Sequence, residues 1–288
     1  MTTLNGVKTA LLLGVLSAFL LLAGQMIGGR SGLQVALFMA VLMNFASYFF
    51  SEKIALAMYS AQPVTPSENP HIYGRVAPVV HNLCQRMGLP VPKLWVIPDP
   101  SPNAFATGRN PEHAAIAVTR GLIDVLERLE LEAVIAHELS HVKNRDILTS
   151  SIAATIAAAI TYLAQIGHFA MLFGGRSRDD DDNALGGAAT GLLMLIVAPI
   201  AAMLIQMAIS RTREFAADGT AAKYSGTPQG LISALRKLEA YSKRIPMEAS
   251  PATAHMFIIQ PFTGSAFMKL FSTHPPTEER IARLSALA

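Results

Sequence analysis

The residues best suited to hydrolytic chemistry lie in Ala136-His137-Glu138-Leu139-Ser140-His141, which holds the chain's only His-Glu-x-x-His. Residues four apart on a helix sit one turn apart on the same face, so the imidazoles of His137 and His141 can reach one Zn²⁺. Glu138 then projects beside them, where a carboxylate can take a proton from a metal-activated water. The stretch leading in, Leu131-Glu132-Ala133-Val134-Ile135-Ala136, has no Pro or Gly, and Leu131, Val134 and Ile135 recur at helical spacing. The competing reading is an ordinary helix with two surface histidines. A glutamate in the required place weighs against it.

Two histidines leave a catalytic zinc short of a protein ligand, and the common zincin solution is a carboxylate from a later helix. Ser210-Arg211-Thr212-Arg213-Glu214-Phe215-Ala216-Ala217-Asp218 offers one, because Glu214 and Asp218 share a helical face. Glu214 is the candidate ligand. Asp218, one turn on, is placed to accept a hydrogen bond from a ligand histidine and fix its ring. From spacing alone, both carboxylates could equally balance Arg211 and Arg213 as ion pairs, and that alternative stays open. The other histidines lack such company: His71, His81 and His255 read as surface residues, and His168 as a polar contact between helices.

These groups need elements to carry them, and composition says where those elements sit. Hydrophobic residues make up 51% of the 288-residue chain and charged residues 15%, and the mean hydropathy is +0.38. Such values describe a membrane protein. A net charge of +3 without any basic run interleaved with aromatics excludes a nucleic-acid partner. The single cysteine, Cys84, excludes an intramolecular disulfide and reads as core. Four apolar stretches are long enough to span a bilayer: 7–27, 33–50, 147–174 and 185–209, the last kinked at Pro199. Gly28-Gly29-Arg30-Ser31-Gly32 makes the first two a hairpin. Lys8, Lys53, Lys143, Arg145, Arg211 and Arg213 flank the spans on one side, with Arg30, Arg176 and Arg178 on the other. The first set is therefore expected in the cytoplasm. Residues 176–183, rich in Asp, form a solvated loop on the opposite side.

Between the spans, residues 52–70 read as a Pro-rich linker and 71–87 as a helix with Val76, Val79, Val80 and Leu83 inward. Short extended stretches at 93–97, 104–107 and 114–118 suggest a small sheet. Asn103-Ala104-Phe105-Ala106 would suit an edge strand that pairs with an extended peptide, although an ordinary strand fits the spacing as well. Residues 119–126 read as a helix, and 227–241 as an amphipathic one that packs through Leu231, Leu235 and Leu238. Residues 243–272 take no assignment, and a short helix with Arg280, Ile281 and Leu284 closes the chain.

Taken together, the chain resembles the HtpX-type membrane metalloproteases of bacteria, relatives of the CAAX prenyl proteases. The resemblance runs nearly end to end. It rests on His137-Glu138-Leu139-Ser140-His141 with Asp146 behind it, the 210–218 cluster, Asn103-Ala104-Phe105-Ala106 and the late His274-Pro275. It implies one Zn²⁺ held by His137, His141 and Glu214, with Glu138 as general base and Asp218 behind the ligands. It further implies that His274 and Arg280 approach the reacting carbonyl, and that Asn103 to Ala106 begin a substrate-binding strand. The fold expected is mainly α: a multi-pass membrane protein of four spans with a zincin-like α+β protease domain. The domains expected are a membrane hairpin (1–51), the first protease part (52–146), a second membrane hairpin (147–209) and the second protease part (210–288). The resemblance implies an inner-membrane endopeptidase with its active site facing the cytoplasm, acting on misfolded or damaged membrane proteins in stress-related quality control. A transporter or a catalytically silent four-span scaffold is the rival. The absence of paired acidic residues within the spans argues against transport.

Overall fold

The computed structural model describes residues 2–156, 211–247, 253–259 and 275–287. The chain enters on α1 (Thr2–Met58), a helical run broken at Gly29, where φ is 55° and ψ −134°. Glycine reaches this region without a Cβ penalty. The break folds the run back on itself, so that Asn44 Nδ2 donates to Ser17 Oγ at 2.8 Å. The arms approach closely: a Cβ on Gly32 would lie 2.1 Å from the Gly24 carbonyl oxygen. Small residues thus set the hairpin's spacing. Its arms, Asn5–Leu22 and Gly28–Met58, are long and apolar enough to cross a bilayer. Val7, Leu22, Val35, Phe38 and Val41 on their outer faces are 63–69% exposed. Such a surface is costly in water and suited to hydrocarbon, as a membrane protein requires.

Two of the four expected spans are therefore described. Of the third, α5 (Ile147–Ile156) is apolar and packs Ile152 and Ile156 against Leu12 and Leu16 of the hairpin. Residues 157–174, the loop at 176–183 and the span at 185–209 lie outside the described residues, as does His168. The second hairpin arm runs past its expected end at Phe50, because good helix formers follow and Ala55 and Leu56 bury against the sheet. The expected linker also contains a strand, β1 (Gln62–Pro63), on a sheet edge where proline is tolerated.

The sheet has the order β1-β2-β4-β3, with β2 (Lys93–Ile97), β3 (Ala104–Gly108) and β4 (Ala114–Thr119). β2 and β4 are parallel, whereas β1–β2 and β3–β4 are antiparallel. Every residue of β3 and β4 is buried, which explains their unbroken apolar run. Alternation then sorts the faces. Ala104, Ala106, Ile116 and Val118 join the main core, whereas Phe105, Ala115 and Ala117 meet Ala55, Leu56 and Phe257.

On the main-core side lie α2 (Pro70–Met87), which buries Val76, Val80, Leu83 and Cys84, and the short α3 (Arg120–Val125). α4 (Arg128–Lys143) runs through the middle, touching the sheet, α2, α6 (Arg211–Ser225) and α7 (Gln229–Ser242). Packed on several sides, it is buried nearly all round rather than along one stripe. Its start is capped by Glu130, which accepts from the Glu127 N–H at 2.8 Å and from Lys237 Nζ of α7 at 2.8 Å. Its end is a tight turn in which Arg145 takes φ 58° and the Asp146 N–H returns to the His141 carbonyl at 2.9 Å. α8 (Thr277–Ser285) closes the described chain against α6 and α7.

Candidate active site

Centred in the core, α4 presents His137 and His141 one turn apart, and α6 brings Glu214 to face them. The two Nε2 atoms are 3.3 Å apart. Glu214 Oε2 lies 3.7 Å from His137 Nε2, and Glu214 Oε1 lies 3.6 Å from His141 Nε2. A tetrahedral ion with bonds of about 2.0–2.2 Å separates its ligand atoms by about 3.3–3.6 Å, so the three groups fit one metal ion. Of the two arginines that could balance Glu214, Arg213 turns to Asp146 at 3.1 Å.

The far side of each ring explains why both Nε2 atoms point inward. His137 Nδ1 lies 3.0 Å from Asp218 Oδ1, and His141 Nδ1 lies 3.3 Å from Asp146 Oδ2. A carboxylate on Nδ1 keeps the proton there and leaves Nε2 as the free donor pair. Two such nitrogens facing a carboxylate call for a cation between them, which a metal ion or a proton on a ring can supply. Burial disfavours charge on His137, but hydrogen bonds to Asp218 and Glu214 outweigh it and, against Arg280, push its pKa up to about 9. A metal and a proton therefore compete for this ring. Burial also opposes charge on Asp218, yet Arg280 and His137 hold its carboxyl down at about 2.

Arg280 is 2% exposed and binds Asp218 through both edges, Nε to Oδ2 at 2.9 Å and Nη2 to Oδ1 at 2.7 Å. Its Nη1 donates to the Ile258 carbonyl at 2.8 Å, and its Nη2 is 3.5 Å from His137 Nδ1. The guanidinium thus stands behind His137, on the side away from Nε2. Glu138 is 2% exposed and borders the same cleft as His137, His141 and Glu214.

Ala106 of β3 also lines that cleft, and β3 is a sheet edge. The start of this strand is joined by the chain's own segment: the Ile258 N–H donates to the Ala104 carbonyl at 3.1 Å, and Asn103 Nδ2 donates to the Ile259 carbonyl at 2.9 Å. Phe105 packs edge-on to Phe257 on the opposite face. His274 lies outside the described residues. His255, read from the sequence as a surface residue, is instead 4% exposed and lines the cleft, with Nε2 3.1 Å from the Ser150 carbonyl. Nothing in the unassigned stretch 243–272 signals this, because the partner is a main-chain oxygen about a hundred residues away. The contact of Asn5 with Asp146 carries no sequence signal either, and Asp146 enters the sequence reading only through the resemblance.

Residues 70–288, which contain both halves of this site, match the model of Peptidase family M48. The chain is 56% identical over 281 residues to the Protease HtpX homolog of Desulfatibacillum aliphaticivorans, covering 98% of this chain and 89% of that one. It is 53% identical over 285 residues to the Protease HtpX homolog of Thermodesulfovibrio yellowstonii, covering 99% of each. The crystal structure of S. mikatae Ste24p aligns with a TM-score of 0.53 at 20% identity, over 98% of this chain and 65% of that chain's length, a likeness of fold. With a full-length relationship to proteases and a His-His-Glu metal set beside a buried glutamate, the chain belongs to peptidase family M48 and is a metalloprotease.

Proposed function

We propose that the protein is a zinc endopeptidase of the bacterial inner membrane that cuts misfolded or damaged membrane proteins at the cytoplasmic face. The observation that carries this reading is the meeting of His137, His141, Glu214 and Glu138 on one cleft bordered by an edge strand. A nitrogen-nitrogen-carboxylate set of this kind suits Zn²⁺, which would supply Lewis acidity, acidifying water and polarising the scissile carbonyl. Glu138 takes the proton from the attacking water and returns it to the leaving amine, so one carboxylate serves as base and then acid. Asp218 and Asp146 hold the two imidazoles by their Nδ1 edges. Arg280 keeps Asp218 ionised and oriented from behind His137 rather than approaching the reacting carbonyl, which leaves His274 as the proposed support there. An extended substrate adds to the β3 edge around Ala106, beyond the end already joined by Ile258, with Asn103 to Phe105 fixing that edge.

The site's distance from the membrane supports the substrate class. His141 is linked through Asp146 to Asn5, where the first apolar arm begins. Hydrolysis then proceeds beside the hydrocarbon but in water, and favours loops and tails over the interiors of intact spans. Purified full-length protein in detergent is expected to hold one zinc per chain and to cleave casein in a chelator-sensitive way. Cleavage unaffected by zinc removal would overturn the reading. For orientation, Asp181→Cys should react with an impermeant thiol reagent added outside the cell; labelling only from the cytoplasm would reverse the topology. Mass-spectrometric mapping of cuts in a multispan substrate checks the rest, and cuts concentrated in mid-span would defeat the placement.

A further inference from the structure

Asn5 stands at the first turn of the membrane hairpin and is 7% exposed. Its amide is committed to the turn that follows His141. Nδ2 donates to Asp146 Oδ1 at 2.8 Å and to the Asn144 carbonyl at 3.2 Å. Oδ1 accepts from Arg213 Nη1 at 3.3 Å, and that same nitrogen donates to Asp146 Oδ1 at 3.1 Å. Asp146 Oδ2 is thereby turned to His141 Nδ1 at 3.3 Å. A carboxylate has a broad terminal torsion and needs two fixed donors to hold one orientation. Here one donor comes from the membrane helix and the other from the residue preceding Glu214.

We propose that Asn5 is a positioning residue of the metal centre: the membrane hairpin, through Asn5, fixes Asp146 and hence the ring of His141. This rests on the metalloprotease reading with His141 as ligand. The hairpin is then part of the metal site's support as well as a membrane anchor, and undocking it weakens metal binding directly. A second contact between the same helices separates positioning from docking. Thr9 Oγ1 meets Thr149 Oγ1 at 3.1 Å, and no hydrogen bond joins Thr9 to Asp146 among the described residues.

The test measures zinc affinity by competition with a chromophoric chelator, using the full-length chain in detergent. The Glu138→Gln background prevents self-cleavage, and thermal denaturation of the metal-free protein is followed in parallel. Asn5→Ala is expected to weaken zinc about tenfold, the lower end for loss of a group that orients a ligand. Added to Asp146→Asn it should change affinity less than twofold, because it acts through that carboxylate. Thr9→Val should also stay within twofold. If Asn5→Ala does not fold, Asn5→Asp keeps the size, turns the donor into an acceptor facing Asp146 and should weaken zinc at least as much. Unchanged affinity in the Asn5 variants, full additivity with Asp146→Asn, or an equal loss in Thr9→Val would overturn the proposal while leaving the metalloprotease reading intact. A parent chain that binds no zinc at all would overturn both.

Discussion

His137 and His141 come from the same helix and face the same carboxylate, yet they are held from behind by different parts of the molecule. Behind His137 the support is sealed: its side chain is 1% exposed, and Asp218 is clamped by both edges of a buried Arg280 from the last helix. Behind His141 the support is looser and reaches the membrane. That side chain is 17% exposed, its carboxylate is farther away, and Asp146 is held by Arg213 and the hairpin's Asn5. The contrast gives each histidine a different dependence, one on the integrity of the protease core and the other on the docking of the hairpin helices.

The largest expected effect comes from breaking the sealed side. Arg280→Ala leaves Asp218 buried without its cation and should cost about 3–5 kcal/mol, read by denaturation of the metal-free protein. Arg213→Ala, beside a partly accessible network, should cost no more than about 1–3 kcal/mol. Equal losses would break the comparison. Next comes metal affinity. Asp218→Asn and Asp146→Asn should each weaken zinc by about 10–100-fold, with Asp218→Asn at the upper end because its contact is shorter and drier. An Asp146 variant that loses more zinc than the Asp218 variant would reverse the ranking.

A smaller effect is expected at Glu130, a carboxylate that caps α4 well away from both histidines. Burial opposes its charge, but hydrogen bonds from Lys237, Ser233 and the Glu127 amide outweigh it and hold its pKa below the usual glutamate range. A depressed folded-state value stabilises the fold above the unfolded glutamate pKa of about 4.3, and the contribution is lost as pH falls toward the folded value. Glu130→Gln should lower stability at neutral pH by about 1–2 kcal/mol and flatten the acid limb below about pH 5. An unchanged acid limb would show that Glu130 titrates normally. Smallest of all, burial pushes the Cys84 thiol up to about 11, so it should stay unreactive toward thiol reagents at pH 8 in the native state. Faster labelling in Arg280→Ala than in Asp146→Asn would sharpen the distinction between core and membrane support.

Local periodicity made His137 and His141 legible as a pair, whereas spacing alone left Glu214 open between metal ligand and ion pair. His137 and His141 follow the helical repeat, and so do Glu214 and Asp218. The sheet strands could be read from their apolar runs, but whether β3 lies at an edge stayed open, because its spacing fits an ordinary strand as well. What the sequence could not display depends on pairings across the fold. Asn5 looks like an ordinary polar residue before an apolar run, and it meets Asp146 only because the hairpin packs beside α5. The resemblance brings Arg280 toward the reacting carbonyl, whereas the depth of α8 beneath Asp218 makes it core behind His137. β1 was hidden by its proline and its length, since two residues carry no alternation. His255 appeared exposed because its partner is a backbone carbonyl, which no side-chain pattern announces.

The central claim is that Glu138 moves a proton while Glu214 holds the metal, and paired carboxamides separate these duties most directly. The full-length Glu138→Gln and Glu214→Gln proteins are compared at limiting zinc for metal content and casein cleavage. Glu138→Gln is expected to keep the parent zinc content and lose cleavage, because a base is removed but no ligand. Glu214→Gln is expected to lose zinc and activity together, since an amide is a poorer zinc ligand than a carboxylate. Full zinc occupancy in Glu214→Gln, or zinc loss in Glu138→Gln, would contradict this division of labour.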